Sequence, residues 1–149
     1  MFFRCFVFLS AFALTSAAAF AAGTGPTIVT PSQVQWQAGT GSMAGAQVAI
    51  IAGDPSKAGE YTMRLKMADG TKFPPHFHGD VENVTVLSGT LMVGTGDTMN
   101  QSKMIALPAG SFVSVPKGLH HYAMAKGETV IQIHGVGPSS MTMVGGTPH

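Results

Sequence analysis

The chain has 149 residues, with 8 Lys+Arg against 7 Asp+Glu and a formal net charge of +1, which suits a single domain of ordinary size. Charged residues make up only 10% and form no basic stripe, so the electrostatic footprint of a nucleic-acid binder is absent. The 19 glycines and 9 prolines favour short strands joined by tight turns over helices.

The first segment reads as a targeting sequence. Arg4 is followed by the apolar run Phe6-Val7-Phe8-Leu9, continuing through Leu14, and then by small residues ending in Ala19-Phe20-Ala21. That order of charge, apolar run and small residues predicts a secretory signal over 1–21, cleaved after Ala21 or one residue later. The run is short for a membrane span, so no stable membrane anchor is expected, an uncleaved N-terminal anchor being the alternative. A periplasmic or secreted protein follows. The one cysteine, Cys5, lies in this segment, so the remainder carries no thiol for disulfides, nucleophilic catalysis or zinc. Setting Arg4 aside leaves seven cationic side chains against seven carboxylates.

Residues 22–44 read as an extended arm, where Pro26 and Pro31 stop any helix and Val34-Gln35-Trp36 is the expected first strand. Gln47–Ile51 reads as a buried strand closed by Gly53-Asp54-Pro55. From Tyr61 to Met67 the pattern alternates, with Tyr61, Met63, Leu65 and Met67 on one face and Thr62, Arg64 and Lys66 on the other. Asn83–Leu87 and Thr90–Gly94 are expected as a hairpin turning at Ser88-Gly89. Gly96–Lys103 is polar and reads as a loop or one short helical turn. Short strands follow at Met104–Leu107, Ser111–Val115, His120–Met124 and Thr129–His134, with turns at Pro108-Ala109-Gly110, Pro116-Lys117-Gly118 and Lys126-Gly127. In the tail, 138–149, an edge strand is expected within Ser139–Val144. Strands spaced this way, without a helical period, define an all-β sandwich or barrel.

The chemistry concentrates between Gly70 and Gly89. In an extended backbone, residues of equal parity share a face, so His76, His78 and Glu82 would converge on one side. Imidazoles and a carboxylate form a ligand set for a divalent transition metal. A second pair, His120-His121, contributes at most one side chain to the same interior, because neighbouring strand residues face opposite ways.

Two spacings carry a resemblance. Gly70-x5-His76-x-His78-x3-Glu82-x6-Gly89 and Gly110-x5-Pro116-x-Gly118-x2-His121 fit the two motifs of the cupin superfamily in order. The chain therefore resembles a small single-domain bacterial cupin over about residues 45–137. It departs from the usual pattern in carrying Ala125 where an Asn often follows the last histidine. The resemblance implies a jelly-roll β-barrel of six to eight or more short antiparallel strands, with His76, His78, Glu82 and His121 as metal ligands. It supplies His121, and it selects that residue over His120. Each histidine must lose its proton to bind, so occupancy would fall in acid.

Around the metal, Arg64, Phe73, Tyr122, Met124, Gln132 and His134 are the candidate pocket residues. Bland alternatives stand beside them: a solvated Arg64, and a His134 satisfied within the barrel wall. Cupins with four such ligands include dioxygenases, decarboxylases, lyases and isomerases, and fold does not choose among them. The leading expectation is an exported, dioxygenase-like metalloenzyme acting on a small chelating organic substrate. Glu82 would be both ligand and candidate base, and the ion one of Zn, Fe, Mn, Cu or Ni. The alternatives are a non-catalytic metal- or ligand-binding module and, behind it, a sugar isomerase or epimerase. A homodimer formed by exchange of the arm is expected by analogy.

Overall fold

The structure, a computed structural model, describes residues 25–145, so the expected signal at 1–21 lies outside the described residues. Nine strands form one curled antiparallel sheet: β1 (Gln37–Ala38), β2 (Ala46–Ala52), β3 (Gly59–Met67), β4 (Lys72–His78), β5 (Glu82–Thr95), β6 (Ile105–Pro108), β7 (Phe112–Val115), β8 (His121–Gly137) and β9 (Met141–Met143). Three single 3₁₀ turns, Pro31–Gln33, Gly41–Met43 and Gln101–Lys103, are the only helical elements among the described residues. No helix there is long and apolar enough to cross a membrane.

β8 is the axis of the barrel. Along one edge it pairs with β5 from Thr95↔His121 to Asn83↔His134. Along the other it pairs first with β4, at Phe73↔Ala123 and His76↔His121, and then with β3, from Met67↔Thr129 to Gly59↔Gly137. β6 and β7 close on β5, β9 pairs with the outer edge of β4, and β1 and β2 continue from β3.

The expected hairpin at Ser88-Gly89 does not form, and neither does the break at Lys126-Gly127. Both segments lie inside continuous strands, β5 of 14 residues and β8 of 17. They face each other, with Ser88↔Val130 and Thr90↔Lys126 in register and the ladder shifting on either side of Ser88. Gly89 (φ 74°) and Gly127 (φ 73°) adopt left-handed backbone, so both strands bend together and round a barrel corner. Thr129, fully buried, sutures that corner: its hydroxyl accepts from Thr90 N at 3.2 Å, with the carbonyl oxygens of Thr90 and Gly127 each 3.1 Å away.

The alternation of β3 is realised. Tyr61, Met63, Leu65 and Met67 point inward and join Val84, Val86, Leu91, Ile131 and Ile133 in the core. The first strand is not Val34–Trp36; pairing is confined to Gln37–Ala38 against Val48 and Gln47. Trp36 instead lies on the outer surface, 5.1 Å under the Lys66 ammonium, a cation–π contact. Within the arm, Met43 packs against the core, and the tail supplies β9 against Phe77, His76 and His78 of β4.

Candidate metal centre

Pro74-Pro75 breaks the β4 ladder between Phe73↔Ala123 and His76↔His121, because proline has no N–H to give. Beyond that break His76 and His78 share the inner face, buried at 4% and 6% exposure. His121 opens β8 directly across from His76 and is likewise buried. One ligand atom from each of the three lies within 4.8 Å of the others.

Glu82 reaches this group by a different route from the one its spacing implies. It does not extend β4; residues 79–81 turn the chain, and Glu82 is the first residue of β5. Its parity there matches that of the buried Val84 and Val86, so it faces inward through β5 rather than through β4. Its carboxylate Oε2 sits 3.5 Å from both His78 Nε2 and His121 Nε2.

All three histidines are held in the same way. His76 Nδ1 is 2.6 Å from the Pro74 carbonyl, His78 Nδ1 3.1 Å from that of Ser140, and His121 Nδ1 2.9 Å from that of Leu119. A carbonyl only accepts, so each Nδ1 carries the proton, and the ring in its neutral form presents an Nε2 lone pair. His78 Nε2 is a buried polar atom with no hydrogen-bond partner. An orphaned lone pair of this kind is costly to bury. A metal ion would satisfy it, and one ring nitrogen from each of the three histidines lies within 4.8 Å of the others. The donor set therefore fits a divalent ion.

The electrostatics agree. Burial, chiefly, depresses His76 from 6.5 to about 4, with His121 and His78 adding to the effect against the Pro74 carbonyl. Burial pushes on His121 in the same direction, but the Glu82 carboxylate and the Leu119 carbonyl outweigh it and hold that imidazole above its ordinary value. For Glu82, burial acts to raise the carboxyl; contact with His121 and the field of the three imidazoles reverse the balance, and it lies below the usual carboxylate range. The site thus combines an easily deprotonated His76 with an ionised Glu82.

Behind the ligands is a cavity with about 40 Å³ of room for the centre of a water-sized molecule, enough for about three waters at 10–15 Å³ each. Apart from the three histidines and Glu82, every lining side chain is apolar, Leu65, Phe73, Val84, Val115, Ile133 and Met141 among them.

Of the six candidate pocket residues, the structure brings only Phe73 to this cavity. Arg64 and Gln132 oppose each other in register, and Arg64 Nε donates to Gln132 Oε1 at 3.0 Å. His134 is exposed, with Nδ1 3.2 Å from the Thr62 hydroxyl. These three sit on the outer face, because the inner parity of β3 and β8 is taken by Met63, Leu65, Ile131 and Ile133. Tyr122 is buried, but on the opposite side of β8 from His121, over Gly94 and with its hydroxyl donating to Asn100 O at 3.4 Å. Met124 shares that parity. His120 also faces out, stacked on Phe77 at 5.0 Å and paired with Asp97 at 2.6 Å. Cavity-lining residues that the sequence reading missed include Met43 and Met141, which come from the arm and the tail; no local pattern marks either.

The sequence matches the ChrR cupin-like domain over residues 24–140. No curated protein matches it in sequence. The polyketide cyclase RemF from Streptomyces resistomycificus has a similar structure, with a TM-score of 0.65 at 16% identity over 80% of this chain and 86% of that one. KdgF from Halomonas sp. aligns at 0.58 and 21% identity, over 72% and 93% of the two chains. A salicylate 1,2-dioxygenase variant from Pseudoaminobacter salicylatoxidans aligns at 0.56 and 12% identity, over 68% of this chain and 31% of that one. At these identities the likeness is one of fold.

Proposed function

This chain belongs to the ChrR cupin-like family, and from that premise we propose that it is an exported mononuclear metalloprotein whose ion takes a small oxygen-donor ligand, with dioxygenase-type oxidation as its reaction. His76, His78 and His121 would hold the ion through Nε2, and Glu82 would complete the set through a carboxylate oxygen. The observation that carries this reading is the partnerless, buried Nε2 of His78 among two more imidazoles whose tautomers are fixed the same way. When bound, a divalent ion supplies Lewis acidity to a coordinated ligand and, if it is iron or copper, a partner for dioxygen.

The protein's own groups do the rest. The three backbone carbonyls hold the proton on Nδ1 and keep the rings aimed. Glu82 would offset part of the ion's charge and is the one carboxylate lining the cavity among the described residues. The apolar wall excludes bulk water, which strengthens every electrostatic interaction inside. It also restricts the ligand, since a polyol would bury hydroxyls against Val84, Val115 and Ile133 with nothing to accept them, at about 1–3 kcal/mol each. That weighs against a sugar isomerase or epimerase. The small cavity favours one other reading, a metal-dependent binding module without turnover. Elemental analysis of the protein purified from its native compartment is expected to give about one divalent ion per chain, and protein that stays metal-free under saturating Zn²⁺, Fe²⁺ and Mn²⁺ would sink the proposal. Oxygen uptake by iron-loaded protein over a panel of diketones, catechols and flavonols separates the two readings; no uptake leaves the binding module.

A further inference from the structure

Two of the three ligand histidines lean on carbonyls two residues away in their own strand or turn. His78 does not. Its Nδ1–H donates to Ser140, 62 residues downstream, so its tautomer depends on how firmly the segment between β8 and β9 is docked. That docking is specific. Ser139 N donates to the Pro55 carbonyl at 2.7 Å, tying the segment to the turn between β2 and β3. On its other side, Asp80 accepts from two hydroxyls, Tyr61 Oη to Oδ2 at 3.1 Å and Ser139 Oγ to Oδ1 at 3.3 Å, and those two hydroxyls lie 3.2 Å apart. Tyr61 is buried, and Gly135, its register partner, leaves space for the ring, since a Cβ there would lie 2.7 Å from Tyr61 Oη. The Ser140 carbonyl accepts a second bond from Gly79 N at 3.3 Å, and a Cβ on Gly79 would come within 2.5 Å of Ser140 Oγ.

The triangle of Tyr61, Asp80 and Ser139 thus grips both sides of the His78–Ser140 hydrogen bond: Asp80 is two residues past His78, and Ser139 is one residue before Ser140. We infer that Asp80, Tyr61 and Ser139 are positioning residues for His78, holding the Ser140 carbonyl where it keeps the proton on Nδ1 and the lone pair on the cavity side. None of the three lines the cavity that His76, His78, His121 and Glu82 share. Partners that orient a ligand in this way are generally worth 10–100-fold in metal affinity.

The inference rests on the metal reading above for its affinity readout and stands apart from it for its tautomer readout. In the full-length metal-free protein, imidazole ¹⁵N spectra are expected to show Nδ1–H on His76, His78 and His121. Asp80→Ala, and independently Ser139→Ala, move only His78 toward a mixed tautomer. The same variants weaken Zn²⁺, measured by competition with a chromophoric chelator, by about 10–100-fold, and Tyr61→Phe by less. Tyr122→Phe removes another buried hydroxyl, one that bonds Asn100 on the opposite side of β8 from His121, and is expected to leave both readouts unchanged. If Asp80→Ala does not fold, Ser139→Ala carries the same two measurements. An unchanged His78 tautomer in either folded variant overturns the inference. A tautomer shift in a protein that takes no Zn²⁺ supports the inference and overturns the metal reading instead.

Discussion

The histidines inside the barrel and those outside it differ less in sequence than in where their rings lie. His76, His78 and His121 each give Nδ1–H to a backbone carbonyl and line the inner cavity, with Nε2 of His78 and His121 each 3.5 Å from Glu82 Oε2. His120, next in sequence to His121, places Nδ1 on the Asp97 carboxylate and stacks on Phe77 at the surface, while His134 places Nδ1 beside the Thr62 hydroxyl. A carbonyl only accepts, so it fixes the proton on Nδ1 and leaves Nε2 as the binding atom. A carboxylate likewise accepts at Nδ1, and a hydroxyl, donor and acceptor at once, fixes no tautomer. Burial and clustering of the rings, rather than the presence of an imidazole, separate a ligand from a surface residue.

The largest expected effect breaks that contrast directly. His78→Ala or His121→Ala should cost more than about 100-fold in metal affinity, beyond what a supporting residue costs, while His120→Ala and His134→Ala keep about one ion per chain by elemental analysis. If His120→Ala releases the metal and His121→Ala does not, the inward register of β8 is wrong.

Acid should separate the two sets next. His76 titrates near 4 in the fold and at 6.5 when unfolded, so the unfolded chain takes the proton first. Stability of the metal-free protein should therefore fall as pH drops from 6.5 toward 4, by up to about 3 kcal/mol. Its Tm over that window checks this, and His76→Gln should flatten the slope. The raised His121 acts elsewhere: its contribution is complete below 6.5 and is lost as pH climbs through its elevated folded value.

A smaller effect is expected at the corner that lets one pair of strands serve the whole barrel. A Cβ on Gly89 would run into the Glu128 carbonyl and lie 2.6 Å from Thr129 Oγ1, whereas one on Gly127 meets nothing within 4 Å. Gly89→Ala should cost roughly 2–4 kcal/mol in denaturant unfolding, and Gly127→Ala only the left-handed strain of about 1–2 kcal/mol. Equal losses would mean that the corner is not packed as described. Smallest of all, Arg64→Ala should change stability by no more than about 0.5 kcal/mol and leave metal affinity unmoved, because its partner Gln132 shares the outer face.

Much of the site is legible in the chain. The spacing of His76 and His78 puts both on one face of one strand, and the motif around Gly110, Pro116 and Gly118 selects His121. Other features are not legible. Ser88-Gly89 and Lys126-Gly127 have the composition of hairpin turns, but each lies opposite the other in a bent pair of strands, and only non-local pairing tells a corner from a turn. Glu82 shares parity with His76 in the sequence, yet it faces inward because β5 begins at that residue.

What the sequence determines by itself is therefore local: alternation, ligand types and their spacing, since a strand's period of two is written into its side chains. What only the tertiary structure decides is which residues distant in sequence become neighbours. Arg64, Gln132 and His134 go outside because Met63, Leu65, Ile131 and Ile133 fill the interior. His78 obtains its carbonyl from Ser140, 62 residues away. Such contacts arise when the sheet closes on itself, and closure depends on the whole strand order at once rather than on any one segment's preference.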